Sequence, residues 1–256
     1  MHQADSSGEN SFVTLTYADG KLPPGESISK DELRGWLKRF RKGRDPLKYY
    51  ASGEYGADLG RPHYHACIFG VHEDDVGWLW RDWDARHAIW YGQIKSWKFG
   101  HVGVGDVTFD SARYVADYMR HDPVRGRYGV RGFREPPFKL SSQGLGKEYC
   151  LKNAERLRRN LGDTVRGIPV GLPLQYRRWL EIPTEDWRQR GAAREREIWM
   201  HYIQRYGHDP AEIYRRREAH LVQHERNLYA QERLVGERDR HGEAFVRDIR
   251  QRGPRV

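Results

Sequence analysis

Hydrophobic residues in the first third of the chain form short runs separated by turn residues. Residues 11–17 (SFVTLTY) are rich in β-branched and aromatic side chains and predict a strand. Residues 47–54 predict a second strand, and a turn over 56–60 leads into a third strand at 62–71. We therefore expect the second and third strands to pair as a tight antiparallel hairpin.

Between the first two strands, the apolar residues recur at helical spacing. Ser29 is followed three residues later by Glu32, the pattern of a capping box, so we predict a helix over about 29–42. Its apolar positions share one face and are Leu33, Trp36, Leu37 and Phe40.

The middle of the chain predicts further helices and one more strand. We expect a helix from Glu73 through the tryptophans at 78, 80 and 83, then a strand within 101–108. Asp110 or Ser111 caps a helix that ends near Arg120. Residues 122–146 are rich in Gly, Pro and Arg and predict a long functional loop, after which helix resumes over about 147–161.

A change in composition predicts a domain boundary after the Pro-punctuated segment 164–183. From Thr184 onward lysine is absent, and 16 Arg stand against 13 acidic residues, a net charge of 16 − 13 = +3. Mixed charge of this kind is typical of solvated helices. We predict a domain over 1–183 and an arginine-rich helical extension over 184–256, which would dock a host replication protein or extend a DNA-binding surface.

The overall composition favours a protein that meets a polyanion. The 256 residues carry 45 Lys and Arg against 36 acidic residues, a formal charge of +9. Cys67 and Cys150 form no CxxC pair, so we expect no structural disulfide and a reduced compartment. No apolar run approaches membrane-spanning length and no signal sequence follows Met1. We expect a cytoplasmic protein without a membrane partner.

The third predicted strand carries two histidines two residues apart, His63 and His65. Side chains on a strand return to one face at every second position, so the two imidazoles lie side by side. Hairpin pairing across the turn places Glu54 opposite His63. Two nitrogens and one carboxylate suit Mg²⁺ or Mn²⁺ with open positions for phosphate oxygens, and zinc would also accept them. An incidental HxH pair is the alternative.

Two tyrosines lie four residues apart on the predicted helix that follows strand 101–108. The phenols of Tyr114 and Tyr118 therefore share one helical face. A tyrosine can attack phosphorus and form a phosphotyrosine ester, which divides a transesterification into two reversible steps. Simple packing of the two rings is the alternative.

Taken together, these residues resemble the HUH endonucleases, and more closely the replication initiators of microviruses, especially the gokushovirus branch. Four sequence blocks carry the resemblance over about residues 10–180. They are Phe12-Val13-Thr14-Leu15-Thr16-Tyr17, then Ser52-Gly53-Glu54-Tyr55-Gly56 with Arg61-Pro62-His63-Tyr64-His65, then Tyr114-Val115-Ala116-Asp117-Tyr118, and the weaker Leu140-Ser141-Ser142-Gln143-Gly144-Leu145-Gly146.

The resemblance implies an α+β fold, with a central antiparallel sheet flanked by helices and a C-terminal helical extension. It implies His63, His65 and Glu54 as metal ligands, with Tyr114 and Tyr118 as nucleophiles. The implied reaction nicks origin DNA, leaves a 3′-OH for rolling-circle synthesis and keeps the 5′ end on tyrosine. The partners would be single-stranded or origin DNA and a host replication helicase or polymerase, in the cytoplasm of a bacterial host.

DNA contacts are predicted where arginines alternate with aromatic residues near these motifs, a composition typical of a single-strand groove. An ordinary surface loop is the alternative. Relatives often carry lysines after the second tyrosine, where this chain has Arg120-His121-Asp122, and an upstream Cys-containing segment that this chain lacks or has lost by truncation. The predicted DNA-binding residues are Arg61, Arg120, His121, Arg125, Arg127, Tyr128, Arg131, Phe133 and Arg134.

Two other functions fit the same motifs. One is an HUH transposase or relaxase that uses the same chemistry. The other is a catalytically inactive DNA-binding protein, in which the altered residues 120–122 mark lost activity. Metal-dependent cleavage separates the enzymes from the inactive protein, whereas salt-sensitive binding does not.

Overall fold

The computed structural model describes residues 1–44, 46–56, 60–85, 87–117, 134–165 and 168–207. Within these ranges the chain divides into two compact units. One contains residues 7–143, and the other contains residues 2–6 and 144–207. No helix in the described part is both long and apolar enough to cross a bilayer.

The first unit is built on a seven-stranded antiparallel sheet whose strand order is β4-β5-β6-β1-β3-β2-β7. This architecture confirms the predicted α+β class. In chain order, the elements are α1 (His2–Ser7), β1 (Asn10–Thr16), α2 (Lys30–Arg41), β2 (Lys48–Tyr55), β3 (Pro62–Phe69), β4 (Trp78–Asp84), β5 (Ile89–Ile94), β6 (Trp97–Asp106), α3 (Phe109–Asp117) and β7 (Phe138–Ser141).

One face of the sheet forms the main core beneath α2. The cap of α2 is the predicted one, because the Ser29 side chain accepts a hydrogen bond from the Glu32 amide at 3.3 Å. The core is apolar, and side chains of β1, β2, β3 and β6 pack there with the buried stripe of α2. The central strand β3 is buried along its whole length. Its even positions, such as Tyr64 and Ala66, face this core, which leaves His63 and His65 on the opposite face.

The predicted helix from Glu73 through Trp83 is wrong. Glu73–Val76 forms a short 3₁₀ helix, and Gly77 follows with a left-handed backbone (φ 84°). Strand β4 begins directly afterwards at Trp78. Trp83 pairs with Trp90 of β5, and their ring centroids lie 5.0 Å apart. Cross-strand aromatic packing therefore decides the structure of this segment, and nothing within the segment itself announces the partner strand.

Other boundaries differ in smaller ways. The helix expected from Asp110 or Ser111 begins at Phe109, because Thr108 Oγ1 accepts a hydrogen bond from the Ser111 amide. The loop expected over 122–146 contains strand β7, whereas its residues 122–133 lie outside the described ranges.

The second unit is mainly helical, with one small hairpin. Its elements are α4 (Lys147–Lys152), α5 (Ala154–Asn160), β8 (Gly162–Val165), β9 (Ile168–Gly171), α6 (Leu174–Trp179) and α7 (Thr184–Tyr206). The single helix expected over 147–161 is therefore two helices that meet at Asn153. Helix α7 confirms that the C-terminal part is helical where it is described. The domain boundary at residue 183 stays a prediction.

Candidate metal centre and tyrosine site

The β2–β3 hairpin brings the predicted metal ligands together. In its register Glu54 lies opposite His63 and Ser52 lies opposite His65, as pairing across the turn predicts. Directly opposed residues of an antiparallel pair share one face of the sheet. The carboxylate and the two imidazoles therefore project to the same side of two adjacent strands, away from the apolar core.

The three side chains form a buried cluster. Nε2 of His63 lies 3.1 Å from Oε1 of Glu54, and Nε2 of His65 lies 2.7 Å from the same oxygen. One ligand atom from each residue lies within 4.8 Å of the other two. Glu54 is fully buried, and both histidines are buried. Such a group could hold a divalent cation.

The outer nitrogens of both imidazoles have partners suited to metal-binding histidines. Nδ1 of His63 lies 3.1 Å from the carbonyl oxygen of Arg61, and Nδ1 of His65 lies 3.0 Å from Oγ1 of Thr14. A hydrogen bond at Nδ1 fixes the tautomer that presents Nε2 as a ligand. Thr14 has no part in the sequence-based set. The alternation of β1 could have identified it, since Thr14 lies directly opposite His65.

The carboxylate of Glu54 is in the form that binds cations. Burial opposes its ionisation, but the charge of His65 and hydrogen bonds from His63 and His65 hold its pKa below the ordinary value. Its second oxygen, Oε2, is buried and has no hydrogen-bond partner among the described residues. A buried carboxylate oxygen without a partner is costly, and a cation would satisfy it. The residues present therefore fit a divalent metal ion.

Helix α3 places one predicted nucleophile against this cluster. The Tyr114 hydroxyl donates a hydrogen bond of 2.6 Å to Oε1 of Glu54, and its ring packs edge-on against His65 with centroids 5.0 Å apart. The helix itself contacts β3 and β2. The second predicted nucleophile, Tyr118, lies outside the described residues.

Two of the predicted DNA-binding arginines have partners within the protein. The guanidinium of Arg61 bonds to Asp19 and to the carbonyl oxygen of Tyr17. Arg134 donates to the carbonyl oxygen of Gly60 at 2.8 Å and to Glu26 at 2.6 Å. Both arginines thereby anchor loops beside the hairpin, and their contact with DNA stays a prediction. The other predicted DNA-binding residues lie outside the described ranges and are Arg120, His121, Arg125, Arg127, Tyr128, Arg131 and Phe133.

Comparison with known proteins assigns this site to a family. Residues 10–123 match the family model described as replication-associated protein ORF2. The resemblance to microvirus replication proteins is confirmed. The matched range includes Glu54, His63, His65, Tyr114 and Tyr118.

Three curated relatives agree with the family match. The chain is 32% identical to replication-associated protein ORF2 of Spiroplasma virus 4 over 69% of its own length and 59% of the relative. For replication-associated protein VP4 of Bdellovibrio phage phiMH2K the values are 27%, 70% and 60%, and for replication-associated protein ORF4 of Chlamydia phage 1 they are 29%, 72% and 49%. The chain thus spans about half to three fifths of these relatives. No solved structure matches it.

Proposed function

We propose that this protein initiates replication of a small single-stranded-DNA phage by metal-dependent, site-specific nicking and joining of DNA. A single observation carries the proposal. The carboxylate of Glu54 receives the Nε2 atoms of His63 and His65 and the hydroxyl of Tyr114 on one buried face of the sheet. The similarity to three phage replication-associated proteins supports the replicative role.

The residues that would hold the metal are His63 and His65 through Nε2, with Glu54 through its carboxylate. Two imidazoles and one carboxylate leave positions open for phosphate oxygens, which favours Mg²⁺ or Mn²⁺. When bound there, the cation polarises the scissile phosphate and offsets the charge that develops on it. Thr14 and the carbonyl of Arg61 would orient the two imidazoles.

Tyr114 is the nucleophile of this proposal. Its hydrogen bond to Glu54 holds the phenol oxygen at the ligand cluster. That oxygen attacks phosphorus, so a tyrosine O–P bond forms and the bond from phosphorus to the 3′ oxygen breaks. The phenol gives up its proton, and the leaving oxygen takes one to become the 3′-OH that primes synthesis. Attack by a 3′-OH on the phosphotyrosine reverses these steps and joins the strand.

The remaining parts of the proposal come from the family resemblance. Tyr118, one helical turn beyond Tyr114, would make the second cut after a round of copying. Origin DNA is the proposed substrate, with a host helicase or polymerase as a further partner, in the cytoplasm of the bacterial host. The extension over 184–256 would dock that host protein or widen the DNA surface. A transposase or relaxase, or an inactive DNA-binding protein, is the alternative.

Denaturing electrophoresis of the protein mixed with labelled single-stranded genomic DNA tests the proposal. With Mn²⁺ the wild type should form a covalent adduct, which EDTA should abolish. Single Tyr114→Phe and Tyr118→Phe variants show which tyrosine leads, and the double variant should form no adduct. Tight binding without adduct or cleavage across several origin-containing fragments would favour the inactive DNA-binding protein.

A further inference from the structure

The sheet face that carries the metal ligands continues past them across β1 onto β6, β5 and β4. Thr16 lies opposite His63, and its hydroxyl donates a hydrogen bond of 3.0 Å to the carbonyl oxygen of His101 on β6. Gly103 is paired with Thr14 on one side and with Tyr91 of β5 on the other. Residues paired in this way share a face. The metal centre and this part of β6 and β5 therefore lie on one continuous surface.

Three aromatic rings meet on that surface, and we call them the aromatic platform: Trp80, Tyr91 and His101. The ring centroid of Trp80 lies 6.1 Å from that of Tyr91 and 5.9 Å from that of His101, and the latter two are 5.2 Å apart. Trp80 is 44% exposed. An exposed tryptophan backed by two further rings is a surface on which a planar ligand can stack.

A second observation points to a ligand at the same place. Tyr91 is 8% exposed, and its hydroxyl is buried without a hydrogen-bond partner among the described residues. A buried phenol ordinarily has such a partner. A ligand with hydrogen-bonding edges, bound at the platform, would provide the missing partner.

We propose that the aromatic platform stacks an unpaired base of the single-stranded DNA whose phosphate reaches the metal centre. This inference rests on the proposed function. Adjacent strands lie about 4.8 Å apart, so the two steps from β3 to β6 place the platform roughly 10 Å from the histidines. The platform suits a base better than a phosphate. Burial lowers the pKa of His101, which keeps its ring neutral at pH 7, and the neighbouring Asp82 is acidic.

Strand β4 offers a matched control for this proposal. Trp83 is 43% exposed, nearly the same as Trp80 on the same strand. It points to the opposite face, because it pairs and packs with Trp90 whereas Trp80 packs with Tyr91. A general effect of removing an exposed tryptophan from an edge strand, including an effect on self-association, should be common to both positions.

The test is the affinity of the full chain for fluorescein-labelled oligo(dT) of about 15 nucleotides, measured by anisotropy in EDTA. Trp80→Ala should weaken binding roughly 5- to 150-fold, the equivalent of one stacked base. Trp83→Ala should stay within about twofold of wild type, and Trp80→Phe should recover most of the loss. With an abasic oligomer, the penalty of Trp80→Ala should largely disappear.

Equal losses in Trp80→Ala and Trp83→Ala would overturn the proposal, as would a penalty that persists with abasic DNA. A change in sedimentation mass of Trp80→Ala at unchanged DNA affinity would also overturn it and indicate a contact between protein copies. Binding in EDTA requires neither metal nor Tyr114. Trp80-sensitive binding without covalent adduct would therefore refute nicking alone, and adduct formation without Trp80-sensitive binding would refute the platform alone.

Discussion

Replacing Thr14 with valine should weaken metal binding without affecting any metal ligand directly. Thr14 Oγ1 lies 3.0 Å from Nδ1 of His65, so it fixes the tautomer that presents Nε2 to the cation. Valine keeps the branched shape of the side chain and loses the hydroxyl. Loss of a hydrogen bond that orients a metal ligand typically reduces metal affinity by about 10- to 100-fold. We expect a loss in this range for Mn²⁺.

Thr16 is the matched control, since it lies two residues further along the same face of β1. Its hydroxyl donates a hydrogen bond of the same length, 3.0 Å, but to the carbonyl oxygen of His101 instead of an imidazole. Each valine variant thus loses one hydrogen bond, which costs about 0.5–1.5 kcal/mol of folding stability. Only Thr14→Val should lose metal affinity beyond about twofold.

Isothermal titration of Mn²⁺ into the full-length protein measures both affinities, and urea unfolding of the metal-free variants checks that their stabilities are similar. Equal loss of affinity in both variants would show that the effect is a general consequence of disturbing β1. Unchanged affinity in Thr14→Val would refute the role assigned to the threonine in orienting His65.

The other two predictions concern carboxylates. Glu54→Gln should reduce Mn²⁺ affinity by more than about 100-fold, because it removes the anionic ligand, and the same titration measures this. In the second unit, burial opposes ionisation of Asp163, but hydrogen bonds from Arg156 and the Thr164 amide lower its pKa to about 2. Its ionised form therefore stabilises the fold above the unfolded pKa, and this contribution is lost as the pH falls through the folded pKa. Asp163→Asn should cost about 2 kcal/mol at pH 7, and roughly half of that at pH 3, in urea unfolding. A cost independent of pH would contradict this account.

The metal cluster could be predicted from sequence because every step in its geometry is local. The pleat places His63 and His65 on one face, and a short turn sets the register that brings Glu54 opposite His63. A shift of one residue would have turned the histidines into the core. The strand period and turn length alone therefore fix this part of the site.

The rest of the site depends on contacts between segments that are distant in the chain. The hydrogen bond from Tyr114 to Glu54 spans 60 residues. The helical interpretation of residues 73–83 failed for the same reason, because Trp80 and Trp83 pack against rings of β5 that no local window contains. Until β4 and β5 are paired, no local pattern indicates an aromatic surface beside the metal centre.

The most direct test of the central claim is to identify the amino acid that becomes linked to DNA. The full-length protein is incubated with origin-containing single-stranded DNA and Mn²⁺, digested with nuclease and protease, and analysed by mass spectrometry. We predict a nucleotide-modified peptide that contains Tyr114 or Tyr118, absent when EDTA replaces Mn²⁺ and absent from Glu54→Gln. A modification on any other residue, or one that forms equally in EDTA, would contradict a metal-dependent tyrosine nickase.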